Sequence, residues 1–132
     1  MKSRDALIRA SSFDLAEKRR KLTDIDTVIA EFRRMALDLE QQIEAEHMRT
    51  GVRETNHFAY SSFAKAARKR CDNLLVSVGD LELKRAAAAA DVGVAEEDLK
   101  RLQMASDRAS EERPSSRRRI GRNRPVGLGS AT

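Results

Sequence analysis

Two histidines, one cysteine and 21 acidic side chains are the groups in this 132-residue chain that could bind a metal or move protons. His47 and His57 flank the stretch "GVRETN", but no cysteine stands near either of them. A zinc site needs three or four ligands brought together, usually at short, regular spacings. The Asp and Glu residues alternate with Lys and Arg along the chain, which is the pattern of a solvated helical face. "GVRETN" lacks the Lys and the second Gly that let a phosphate loop wrap its ligand. Cys71 has no second thiol to pair with, so it reads as a reduced, small apolar packing residue. No catalytic group, metal or cofactor is expected, and the chain does not read as an enzyme.

Docking chemistry is better represented. Phe58, Tyr60 and Phe63, three of the five aromatic residues, fall inside the window "HFAYSSF". They could close a small satellite core against Met48 and Val52. They could equally form a patch for a partner, because aromatic side chains concentrate binding energy at interfaces. One ring packed inside and another presented would satisfy both readings. "KRRK", Lys18 to Lys21, has the charge of a basic region but is preceded by Asp14 and Glu17. A helix that enters the major groove needs several cationic turns, so this run reads as a solvated face.

Charge divides the chain. The formal net charge is +5, yet residues 113–132 carry six arginines and no acid, whereas residues 1–112 carry 20 basic and 21 acidic side chains. A balanced body with a disordered basic tail is expected. Such a tail could neutralise phosphates without folding, but no aromatic interleaves its arginines for stacking on single strands.

The elements that must position these residues are helices. Charged residues make up 36% of the chain, Trp is absent, and both prolines follow residue 113. Leu22, Ile25, Ile29, Phe32, Ala36, Leu39 and Ile43 recur at alternating spacings of three and four, as a coiled-coil seam does. Leu15 and Ile8 extend it backwards, with polar Lys18, Ser11 and Arg4 at the interleaved positions. A second seam runs through Tyr60, Ala64, Ala67, Cys71, Leu74, Val78, Leu81, Ala88, Val92, Ala95, Leu99 and Leu102, broken only by Arg85. Gly51 and the Thr55–Asn56 pair between the two seams supply helix-stopping and helix-capping chemistry.

The fold class expected is therefore all-α, a long antiparallel two-helix coiled-coil hairpin over residues 1–112. Arm one covers about 3–49, the turn about 50–57 and arm two about 58–112. The register that centres the turn on the breakers pairs Ile43 with Ala64, Leu39 with Ala67, Ala36 with Cys71 and Phe32 with Leu74; a slip of one heptad would also keep apolar residues facing each other. Each arm would be roughly 70 Å long at 1.5 Å per residue. Gly79 and Gly93, beside the second seam, would each cost about 1 kcal/mol relative to Ala. "AAAAA" at 86–90 suggests a slender section. No stretch is apolar enough for a membrane span, and the N-terminus has no signal-peptide core.

The segments "MKSRDALIR", "EKRRKLTDIDTVIAEFRRMALDLEQQIEAE" and "HFAYSSFAKAARKRCDNL", in this order and spacing, resemble the bacterial flagellar export protein family FliJ. The resemblance covers roughly residues 1–83. It implies a cytoplasmic, non-enzymatic component of the flagellar type III export apparatus, peripheral at the inner membrane. Its implied partners are the export ATPase, the membrane export gate and export chaperones. Under that resemblance the terminal end of the hairpin, with Arg4, Ser11 and Lys18 interrupting the seam, would face the ATPase ring. The turn, with Phe58, Tyr60 and Phe63, would meet the gate. Family members continue in charged, acid-containing helix, whereas here Pro114 opens the acid-free tail. A competing expectation is an oligomeric coiled-coil scaffold whose basic tail binds nucleic acid or anionic membrane.

Overall fold

A computed structural model of the protein describes residues 2–112. It contains two helices packed against each other, α1 (Lys2–Thr50) and α2 (Ser62–Glu112), joined by the loop 51–61. The expected tail, residues 113–132, lies outside the described residues. Helix α1 contains no Gly or Pro, so nothing within it interrupts the backbone ladder. Helix α2 runs unbroken through Gly79 and Gly93.

The chain divides into two compact units. One takes Glu17–Val92; the other takes α1 through Ala16 and α2 from Gly93 onward. Within the first unit the helices are antiparallel and the core is the predicted seam. Ala36, Leu39, Ile43, Ala64, Ala67 and Cys71 form a continuous buried cluster, with Tyr60 and Leu74 packed against it. Ile29, Val78, Ala88 and Val92 are also buried. Arg85, the one polar interruption, is exposed, and its guanidinium leaves the seam to pair with Asp26 of α1. In the second unit Leu15 and Ala95 are buried, while Ile8, Leu99 and Leu102 are half-buried.

The register near the turn can be read from single atoms. The Cys71 thiol sits 3.6 Å from the carbonyl oxygen of Ala36, so α2 approaches α1 closely where its seam residues are small. That contact agrees with the pairing that centres the turn on its breakers. The cross-helix ion pairs of Arg33 with Glu82 and of Arg85 with Asp26 flank the seam farther from the turn.

Helix α1 ends as expected at Gly51. Its φ of +74° is the left-handed conformation that glycine adopts without strain, and its N–H donates to the carbonyl of His47 at 2.8 Å. The start of α2 differs from expectation. The helix begins at Ser62 rather than near residue 58, because the cap is Ser61 and not the Thr55–Asn56 pair. Ser61 Oγ accepts from the Ala64 N–H at 3.1 Å, and its carbonyl accepts from the Lys65 N–H at 3.0 Å. A side-chain acceptor three residues before a free N–H is the usual N-cap geometry. Residues 54–60 instead fold into two successive turns, closed by His57 N–H to Glu54 O and Tyr60 N–H to His57 O. Gly79 is exposed, with open space where a Cβ would stand, so it faces away from the seam.

Candidate docking site at the turn

The loop places its aromatic rings apart. Tyr60 is half-buried, and its hydroxyl lies 2.9 Å from His47 Nε2, with the two rings tilted at a centroid distance of 5.4 Å. Phe58 is 96% exposed and stacks only on the neighbouring His57 ring. Phe63, on the first turn of α2, is 53% exposed. Of the satellite core expected against Met48 and Val52, Tyr60 and Val52 are half-buried while Met48 is exposed. One ring goes in and another is presented, as the mixed reading anticipated.

A polar network holds this arrangement. Glu46 accepts a hydrogen bond from Ser61 Oγ at 2.5 Å and two from Arg49, at 3.0 and 2.7 Å. The Arg49 hydrogen bonds, followed by that from Ser61, hold the Glu46 carboxyl down to about 2 from its ordinary 4.5. Glu44 receives both arms of the Arg53 guanidinium, at 2.9 and 2.8 Å, which lowers its pKa as well. Arg53 lies within the loop, so the fork ties the loop's first half back onto α1. The Ser61–Glu46 bond does the same for its second half. Bidentate charge-assisted bonds constrain direction as well as distance.

None of Glu44, Glu46, His47, Arg53 or Ser61 was singled out as functional from the sequence. One signal could have found part of this set. Continuing the pairing of Ile43 with Ala64 by one helical step in each direction brings His47 opposite Tyr60, and the neighbouring step brings Glu46 opposite Ser61. The Arg53–Glu44 fork had no such signal, because it depends on the backbone path after Gly51.

The residues expected at the terminal end are divided. Arg4 and Ser11 lie in the unit that contains the start of α1, Lys18 lies in the other, and all three are half-buried at the interleaved seam positions. Ser11 borders an open groove of about 730 Å³ whose apolar wall is Leu7, Ala10, Leu102 and Ala105, with Asp98 and Arg101 at its rim. The "KRRK" run is mostly solvated: Arg19, Arg20 and Lys21 are exposed, and Arg20 pairs with Glu17 at 2.6 Å.

Cys71 is fully buried. Burial, with the Glu40 charge adding to it, pushes its thiol up from the ordinary value. A protonated, enclosed sulfur is a poor nucleophile, which agrees with a packing role. Among the described residues no three His, Cys, Asp or Glu side chains come together to hold a metal ion. No helix in that range is long and apolar enough to cross a membrane.

The fold and the turn define a helical hairpin that presents side chains on a braced loop. No family model, curated protein or solved structure matches the chain. Any functional reading has to rest on these residues.

Proposed function

We propose that the chain is a non-enzymatic component of the flagellar type III protein export apparatus. It would work at the cytoplasmic face of the inner membrane, coupling the export ATPase ring to the membrane export gate and assisting export chaperones. The reading is supported by the residue resemblance over positions 1–83 and by the two-helix hairpin that this resemblance calls for. The observation that carries it is the loop itself. Phe58 is almost wholly exposed while Tyr60, Ser61 and Arg53 are tied back to α1. A large ring held in solvent on a braced loop loses little freedom when it enters a partner's pocket.

In this role Phe58 and Phe63 contact the gate, and Tyr60 positions the loop that carries them. Arg4 and Ser11 in one unit, and Lys18 in the other, each contact the ATPase ring. The chain has no active site of its own and acts by holding two partners.

The test is co-purification of the chain, full-length and ending at residue 112, with the flagellar export ATPase, followed by measurement of hydrolysis. Stimulation by both versions supports the reading and makes the basic tail incidental. Absence of association with either version refutes it. Replacing Phe58 and Phe63 together with Ala should abolish gate binding and leave ATPase stimulation intact.

A further inference from the structure

Helix α2 carries a second apolar face, opposite its seam. Val76, Leu83 and Ala90 stand seven residues apart, with Gly79 and Ala86 beside them at the same interval and Ala87 completing the strip. At 3.6 residues per turn these positions share one side of the helix, and the buried residues Cys71, Val78, Ala88 and Val92 occupy the other. Val76 is 66% exposed and Leu83 74% exposed, and nothing lies within 4 Å of the place a Cβ would take on Gly79. A helix solvated on its outer side normally puts charge there.

The charges beside this strip indicate what covers it. Asp80 and Lys84 border the same edge, both exposed, and neither has an ion-pair or hydrogen-bond partner among the described residues. Their neighbours Glu82 and Arg85 are already engaged with Arg33 and Asp26 of α1. We infer that the strip is a self-association surface on which a second copy of this chain packs its own α2 antiparallel, about a two-fold axis between Glu82 and Leu83.

Such an axis brings Leu83 against its own counterpart, Val76 against Ala90 and Gly79 against Ala86. It also places Asp80 of each copy beside Lys84 of the other, which makes the surface self-complementary. A parallel pairing would instead turn the Asp80–Lys84 edge of one copy toward the uncharged Gly79–Ala86 edge of the other, leaving both charges unanswered. Open space over Gly79 and short side chains along the strip allow the two backbones to approach closely. The strip spans only about 20 Å of helix, so the contact falls at the small end of specific interfaces and the dimer is weak. The inference is independent of the export reading, because its test contains no export partner.

The test is sedimentation velocity on the full chain over about two decades of concentration, since the dimer population follows mass action. The expected result is a monomer–dimer equilibrium that Leu83→Glu weakens at least about tenfold, helicity being unchanged by circular dichroism. Asp80→Lys and Lys84→Asp should each weaken it several-fold, and the double reversal should restore it to within about threefold, as charge complementarity requires. A chain that stays monomeric throughout overturns the inference. So does a dimer indifferent to Leu83→Glu, which would place the second copy elsewhere. A double reversal no better than the single changes overturns the antiparallel arrangement without requiring any folding defect.

Discussion

Replacing Ile43 with Ala tests whether the seam beside the turn holds the hairpin closed. Ile43 is 1% exposed and belongs to the buried cluster with Ala64, Ala67 and Cys71. Because its neighbours on α2 are small, Ile43 and Leu39 supply most of the side-chain volume in those layers. The substitution removes three carbons, worth about 2.5 kcal/mol at about 0.8 kcal/mol each. A residual cavity would add to that, but a two-helix layer open to solvent on its flanks can close up, so about 2.5 kcal/mol is the working value. The reporter is already in place. Cys71 is the one thiol in the chain and is fully buried, so a thiol-specific disulfide reagent labels it only when the helices part. With opening as a pre-equilibrium, about 2.5 kcal/mol corresponds to roughly a 60-fold faster labelling rate. Met48→Ala, at a residue 70% exposed, should change the rate less than about threefold. Unaltered labelling in Ile43→Ala would refute the account, as would native Cys71 reacting at the rate of an unstructured peptide.

Five further outcomes follow from the turn. Ser61→Ala removes both the cap of α2 and a donor to Glu46, and should lower stability by about 1 kcal/mol in urea titration. Tyr60→Phe should cost about 1 kcal/mol through loss of the contact with His47; Phe58→Ala should leave the melting curve unchanged, because that ring is 96% exposed. Gly51→Ala has room for the methyl group but must adopt φ near +74°, so about 1 kcal/mol of strain should appear in the same assay. The Glu46 carboxyl has a folded value of about 2 against an ordinary 4.5. Its contribution to stability is therefore complete above pH 4.5 and is lost as pH falls toward 2. Glu46→Gln should flatten the acid limb of stability against pH, and the Glu46 carboxyl carbon shift should titrate near 2.

The seams were legible in the sequence because their physics is periodic. Spacings of three and four mark the side of a helix that must leave water, and every position so marked in either helix is buried or half-buried except Arg85. The stop at Gly51 was legible too, since few other residues take a left-handed conformation. The start of α2 was not. Thr55, Asn56 and Ser61 all have capping side chains, and the choice among them is made by where Glu46 and the Ala64 N–H lie in space. The fate of the aromatic residues was open for the same reason: proximity in sequence does not say which ring His47 will hold. The outer strip of α2 was not legible because "AAAAA" satisfies the seam and the outer side at once. Only the exposures of Val76 and Leu83 separate the two.

The two ion pairs that flank the seam bear on axial sliding. Arg33 lies on α1 and Glu82 on α2, whereas Asp26 lies on α1 and Arg85 on α2, so the sign of the charge alternates between the helices. A shift of α2 by one heptad, roughly 10 Å, would leave the apolar layers filled. It would, however, carry Arg33 to Leu75 or Ala89 and Asp26 to Val78 or Val92, so both pairs would be lost together. They act as a detent along the hairpin's length. Each pair is about half exposed and so is worth no more than about 1 kcal/mol. Salt weakens this detent while leaving the greasy track beneath it intact.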